Sequence, residues 1–186
     1  HDNFLLVCQM AHRLHKRKAK GVLLKLDISR AFDSLSWPFL FKVLRAKGFG
    51  DRWIQWVVVL LSTPSTKIII NGVPGRSIFH AKGLRQGDPV SPLLFVIAMD
   101  ALTALICKAT EEGTLSSFRG ISPLQRLSIY VDDVAIFVKP STQDLICIRA
   151  VLDAFSIASG LRINYTKSTA ILIRGTEEER HHVVTI

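Results

Sequence analysis

Leu127-Ser128-Ile129-Tyr130-Val131-Asp132-Asp133-Val134-Ala135-Ile136-Phe137-Val138 is a long apolar run broken by two adjacent acids. Both flanks are rich in β-branched and aromatic residues and read as strands, with the Asp pair at the bend between them. Carboxylates set in so much apolar sequence face a heavy desolvation cost unless something positive neutralises them. No Lys or Arg lies within five residues on either side of the pair. A metal ion is the obvious counter-charge, and hard oxygen ligands favour Mg²⁺ or Mn²⁺. Taken alone, an Asp-Asp dipeptide is more simply a hairpin turn facing water. Its company in the chain overturns that simpler reading.

Upstream of the hairpin, Ser91-Pro92 is a cap residue followed by Pro at the first helical position. The helix it opens carries Phe95, Met99, Leu102 and Ile106 on one stripe. Before it, Ile68–Ile70 and Ser77–Phe79 flank Asn71-Gly72-Val73-Pro74-Gly75, a hairpin signal. Helices are expected over Pro38–Lys47, with Ser36 as cap and Gly48 as stop, and over Arg52–Leu61. The second is apolar nearly all round and is expected to be buried, with Trp53 and Trp56 as core residues. A strand over Val22–Leu26 leads into Asp27, and a helix over Phe4–Lys18, opened by Asp2 or Asn3, precedes it. Downstream, Ser141 with Asp144 forms a capping-box signature ahead of Leu145, Ile148, Leu152 and Phe155, and Gly160 ends that helix. Ala170–Ile173 reads as a last strand. Hairpins and helices are interspersed, so the expected class is α+β with a largely antiparallel sheet.

A chain of 186 residues has room for one domain with a proper core, and 48% hydrophobic with 21% charged residues is a globular composition. The net charge of +9, from 24 Lys and Arg against 15 Asp and Glu, favours a polyanionic partner. The basic cluster Arg13, Lys16, Arg17, Lys18 and Lys20 suits a helix C-terminus, with phosphate contact as the second reading. Cys8, Cys107 and Cys147 are odd in number and widely spaced, which reads as free thiols in a reducing compartment. No apolar stretch approaches the roughly 20 residues needed to cross a bilayer, and no secretory signal opens the chain. The start, His-Asp-Asn without a Met, reads as a cut inside a longer protein. His12, His15, His181 and His182 have no soft-ligand company that would make a zinc site. Glu177–Glu179 reads as a solvated acidic turn, and neither a phosphate loop nor a dinucleotide fingerprint is present.

Asp27 is the second key acid. Close in space to Asp132, it would complete a two-carboxylate site able to hold two cations about 4 Å apart, suited to an in-line phosphoryl displacement. Leu24-Lys25-Leu26-Asp27-Ile28-Ser29-Arg30-Ala31-Phe32-Asp33 resembles the first catalytic motif of reverse transcriptases of non-LTR (LINE-type) retrotransposons. Gly83-Leu84-Arg85-Gln86-Gly87-Asp88-Pro89-Val90-Ser91-Pro92-Leu93-Leu94-Phe95 resembles their second, and Tyr130-Val131-Asp132-Asp133 their third. Gly160-Leu161-Arg162-Ile163-Asn164-Tyr165-Thr166-Lys167-Ser168 is similar to their fourth. All four stand in the family's order and cover most of the chain, in wording nearest that of plant elements.

The resemblance implies a right-hand polymerase palm with an antiparallel sheet packed on helices. It implies Asp27 and Asp132 as ligands of two Mg²⁺ ions, with Mn²⁺ as the alternative. Asp133 is then the accessory acid, and the Ile28 backbone carbonyl completes a metal shell. Phe32 matches the family's steric gate, where a bulky apolar ring rejects a sugar bearing an extra hydroxyl. Gln86 and Gly87 match the part of the second motif lying against nucleotide and template. Gly87 is expected to let the backbone approach closely. Arg85 is a candidate phosphate or template contact, and Lys167 a candidate to protonate or neutralise the departing pyrophosphate. The implied partners are an RNA template, a DNA primer and a dNTP, with no membrane.

Val131 departs from the Ala more usual in these elements. Residues 1–186 are expected to form a single reverse transcriptase domain fragment, a palm with a remnant of the fingers at 1–20. The rest of the fingers, the primer grip, the thumb and the endonuclease of a larger polyprotein are expected to be missing. Priming at a chromosomal nick implies action in the nucleus. Two other readings stay open: an inert or merely nucleic-acid-binding remnant, and a group II intron or retron relative.

Overall fold

The structure, a computed structural model, describes residues 2–130 and 133–175, the side chains of residues 2–4 excepted. Asp132 and Val131, and the acidic and histidine-bearing stretch after residue 175, lie outside the described residues. In chain order the elements are α1 (Asp2–Lys16), β1 (Gly21–Ser29), α2 (Ala31–Ser34), α3 (Trp37–Ala46), α4 (Asp51–Ser62), β2 (Ser65–Ile70) and β3 (Val73–Phe79). There follow α5 (Ser91–Glu111), a 3₁₀ turn (Pro123–Arg126), β4 (Leu127–Tyr130), β5 (Asp133–Val138), α6 (Thr142–Ser159), β6 (Arg162–Ile163) and β7 (Thr169–Ile173).

β1 is the spine of a five-stranded antiparallel sheet. β5 runs along one side, from Val22 opposite Val138 to Asp27 opposite Asp133, with β4 beyond it. The other side is shared by β7, from Gly21 opposite Ile173 to Lys25 opposite Thr169, and by β6 at Ile28 and Ser29. Because side chains alternate along a strand, β1 divides its residues between two faces. Val22, Leu26 and Ile28 join Val134, Ile136 and Val138 in the main core against α3, α5 and α6. Leu23 and its partner Phe137 face the other way and pack beneath Met10 and Leu14 of α1. Beyond the reach of α1, that second face turns polar: Lys25, Asp27 and Asp133 occupy it. One sheet face is therefore core throughout, and the other is half core and half open.

The α+β class and the expected helices and hairpins are present, with instructive differences. β1 runs two residues past Asp27 because β6, from a distant part of the chain, pairs with Ile28 and Ser29. The turn of the β2–β3 hairpin is tight, Asn71 and Gly72 both taking positive φ, 50° and 79°, the backbone that suits the twist of a two-residue hairpin. α4 is not buried all round: Ile54, Val57 and Leu61 face the core, while Trp56 and Val59 are exposed. Trp53 stacks on Phe49 at 4.5 Å, but Trp56 lies outside the core with the Arg52 guanidinium 5.3 Å from its ring. α5 starts one residue early, with the Asp88 carboxylate accepting from Val90 N at 2.7 Å. At 21 residues α5 is long and apolar enough to cross a membrane by length and composition. Its stripe Phe95, Met99, Leu102 and Ile106 is spent on the core instead. At α6 the Ser141 hydroxyl accepts from Asp144 N, yet the Asp144 carboxylate turns inward and accepts from Ser116 N at 3.1 Å. The three cysteines are free thiols.

Candidate active site

The open half of the second sheet face ends in two carboxylates. Asp27 and Asp133 occupy directly opposed positions of β1 and β5, where side chains share one face and Cβ atoms stand roughly 5 Å apart. Like charges so placed repel, and a cation relieves them. Lys25, two residues before Asp27 and hence on its face, brings Nζ to 3.6 Å from Asp133 Oδ1. The counter-charge for Asp133 thus comes from across the strand pair, and inspection of its sequence neighbours alone misses it. Both groups are more than half exposed, so this ion pair contributes little to stability.

The fourth segment clasps Asp27 by its backbone. Asn164 N–H donates to the Asp27 carbonyl at 2.8 Å, and Asp27 N–H donates to Ser168 Oγ at 3.2 Å. The Ser168 hydroxyl in turn donates to the Asn164 carbonyl at 2.8 Å. The groups that hold Asp27 in register are thus the Asn164 backbone and the Ser168 hydroxyl, for which the motif by itself suggests no role. Lys167 lies in the exposed turn between them. Tyr165 anchors this turn to α6, its ring under Arg149 at 4.5 Å. Burial pushes its phenol upward, with Arg149 pulling the other way. Ile28 turns its side chain into the core, which leaves only its backbone for any ligand.

The second segment is fastened to the first. Leu84 N–H donates to the Phe32 carbonyl at 2.5 Å and Gly83 N–H to the Leu35 carbonyl at 2.8 Å. Trp37 Nε1 donates to the Gly83 carbonyl at 2.6 Å. Phe32 is half-buried and stacks on Phe95 with centroids 5.0 Å apart, which holds its ring in one orientation. Arg85, Gln86 and Gly87 are exposed at the rim, Gln86 Nε2 reaching Asp33 Oδ1 at 3.5 Å. Nothing lies within 4 Å of where a Gly87 Cβ would stand. Gly87 has a positive φ of 85°, and its open surroundings leave room for the close approach of a nucleotide or template expected there. Within the chain, close approach occurs at two other glycines. A Cβ on Gly83 would stand 2.7 Å from the Asp33 carbonyl oxygen, and one on Gly160 2.6 Å from that of Ser34. Beside these residues Trp37, Thr66, His80, Arg85 and Gln86 line a cleft of about 640 Å³.

Gly83→Ala is accordingly expected to destabilise the chain by about 2 kcal/mol, from positive φ plus displacement of the Asp33 backbone. Thermal unfolding checks this; an unchanged Tm would show that the second segment is not held against the first.

The sequence model described as "Reverse transcriptase (RNA-dependent DNA polymerase)" matches residues 2–183. The chain belongs to this family. Over 179 residues it is 27% identical to a Retrovirus-related Pol polyprotein from the type-2 retrotransposable element R2DM of Drosophila melanogaster, covering 96% of this chain and 16% of that protein. Over 173 residues it is 28% identical to the Transposon TX1 uncharacterized 149 kDa protein of Xenopus laevis, covering 92% of this chain and 13% of that protein. The reverse transcriptase chain thus spans a small part of the curated relatives it matches. In fold it is similar to apo telomerase of Candida tropicalis, with TM-score 0.68 at 13% identity over 94% of this chain and 35% of that one. That likeness fits a palm-like arrangement of helices and antiparallel sheet. Reverse transcriptases use divalent metals. Among the described residues no group of three or more ligating side chains gathers; the hard oxygen donors at the site are the opposed carboxylates Asp27 and Asp133, the donor type such a cation takes.

Proposed function

We propose that this chain carries the polymerising site of an RNA-directed DNA polymerase of non-LTR retrotransposon type. A primer 3′-hydroxyl attacks the α-phosphate of a dNTP paired to an RNA template, the new phosphodiester bond forms, and pyrophosphate departs. One observation supports this above the rest. β1 and β5 set Asp27 and Asp133 side by side on an open sheet end, and the second and fourth segments are hydrogen-bonded to that same strand and the turn after it.

In this reading Asp27 and Asp132, with the Ile28 carbonyl, would hold two divalent cations, Mg²⁺ or Mn²⁺, which when bound supply positive charge for the attacking and leaving oxygens. Asp133 is the accessory acid, kept in place by Lys25. Lys167 gives a proton or positive charge to the departing pyrophosphate. Arg85, Gln86 and Gly87 lie against nucleotide and template, Gln86 offering both a donor and an acceptor. Phe32, held by its stack on Phe95, stands where a ribose 2′-hydroxyl would go. The relatives are several times longer than this chain, and we assign the remaining grip on template and primer to fingers and thumb segments of a larger polyprotein.

The test is primer extension on an RNA template by this chain, with Mg²⁺ or Mn²⁺, beside its Asp132→Ala/Asp133→Ala version. Extension by the parent alone is the expected result, and equal extension by both sinks the assignment. Primer–template binding with no extension by either favours the second reading, a nucleic-acid-binding remnant, for which the 16% coverage of the R2 relative speaks. Phe32→Val is expected to lower discrimination between dNTP and rNTP roughly 10- to 100-fold, measured as a ratio of kcat/KM values. Unaltered discrimination would leave Phe32 as an ordinary packing residue.

A further inference from the structure

The basic cluster that ends α1 has no part in the site above, and the fold gathers more charge around it. Arg13, Lys16, Arg17, Lys18 and Lys20 are all exposed. The chain turns at Lys18, with φ 54°, so that Lys20 leads directly into β1. Arg17 reaches across to the Arg119 carbonyl, which draws the loop carrying exposed Arg119 alongside. On the flanking strands, Val138 pairs with Val22 and Ile173 with Gly21, so Lys139 and Arg174 fall at this same end of the sheet. Cations from four segments thus meet at this end of the sheet: Arg13 to Lys20, Arg119, Lys139 and Arg174.

We propose that this pole of the sheet is a second nucleic-acid contact surface, binding the phosphodiester backbone of a strand outside the catalytic cleft. Lys20 and Asp27 are seven residues apart on an extended strand, roughly 23 Å at about 3.3 Å per residue. The pole therefore cannot touch the nucleotides reacting at Asp27; it holds a more distant part of the same nucleic acid or another strand. A recess of about 530 Å³ rimmed by Arg17 and Arg119 gives the patch a concave centre. Gly120 there, at φ 65°, admits the Arg17 guanidinium, which would stand 3.0 Å from a Cβ. Guanidinium groups suit phosphate oxygens by their fork of donors. An anionic membrane fits less well. A helix lying on a bilayer needs an exposed apolar face, and at this end of α1 that face, Met10 and Leu14, is buried against Phe118, Ile121 and Phe137.

The experiment is anisotropy of a labelled 20-nucleotide RNA, and of a DNA of the same sequence, with the whole chain across a KCl series. Lys16→Gln/Lys18→Gln/Arg119→Gln is compared with Arg45→Gln/Arg52→Gln/Lys108→Gln, which removes the same charge elsewhere. For the pole variant we expect roughly tenfold weaker binding near 0.1 M KCl and a log–log salt slope shallower by about 2, at about 0.7 per phosphate contact on a single strand. The control should stay within about twofold. Bound RNA should also protect Lys16 and Lys18 of the parent from acetylation. A loss confined to RNA or to DNA names the strand. Equal losses in both variants, or none in the pole variant, overturn the proposal, as does pole-dependent binding to phosphatidylserine vesicles without any to nucleic acid. Primer extension by the parent is independent of every one of these outcomes.

Discussion

Asp27→Asn is expected to reduce primer extension at least about 10³-fold while leaving the fold as stable as before or slightly more so. The two effects separate for a physical reason. Asn keeps the shape of Asp and leaves untouched the backbone hydrogen bonds to Asn164 and Ser168 that hold this position. It removes one of two opposed like charges, whose repulsion costs roughly 0.2–1 kcal/mol in an antiparallel pair. Stability should gain a few tenths of a kcal/mol, the rest being screened by solvent at the half-exposed partner. Activity has no such compensation. In phosphoryl transfer, positioning and electrostatic stabilisation supply nearly all the catalysis, and 10³ in rate corresponds to about 4 kcal/mol of lost transition-state stabilisation. Single-turnover extension and thermal unfolding on the same preparation separate the cases. A parental rate removes Asp27 from the chemistry, and a lost rate with a Tm several degrees lower makes its role structural.

The largest expected effect on stability lies away from the site, at Arg126. This side chain is 1% exposed, yet it is a full cation. Its Nε donates to the Phe137 carbonyl at 3.0 Å, its Nη1 donates to Thr110 Oγ1 at 2.9 Å, and the guanidinium sits 5.3 Å from the centre of the Phe118 ring. Burial pushes its pKa down, and the nearby buried Asp144 carboxylate pulls it back up. The 3₁₀ turn, α5, β5 and the loop at Ser116 thus meet around two buried opposite charges that are not in hydrogen-bond contact, Arg126 Nη2 and Asp144 Oδ2 both lacking a hydrogen-bond partner among the described residues. Arg126→Met should destabilise by about 3–5 kcal/mol, because it takes the donor from the Phe137 carbonyl and Thr110 hydroxyl and removes the buried cation nearest the Asp144 carboxylate. For a chain of this size that lowers Tm by roughly 10 °C. Adding Asp144→Leu to the same chain should recover part of the loss, since replacing a whole buried pair by apolar groups costs far less than breaking it. Equal and additive losses would show that the two charges are not coupled.

The contrast between Asp27 and Arg126 marks what a linear reading reaches. The family is legible in short contiguous segments, those around Asp27, Gln86, Asp133 and Lys167, whose wording resembles a known one. Helices with a regular apolar stripe, such as α5 and α6, were legible because the helical period repeats within a few residues. In the sequence Arg126 is a lone basic residue before a strand; only the packing of α5, β5 and the 116–126 loop turns it into a buried cation. The apolar sequence around Trp56 predicts a core residue, and the neighbours available to cover α4 leave it exposed instead.

By itself, then, the sequence determined the α+β class, the order of elements and the family, since all of these follow from local composition, period and motif. Only the tertiary structure decided which groups meet. Lys25 neutralises Asp133, Asn164 and Ser168 lock the backbone of Asp27, Gly83 and Gly160 make room for the turn after β1, and cations from four segments collect at the far pole. Each of these depends on strand register and close approach between residues far apart in the chain, and those are set by packing the whole core at once.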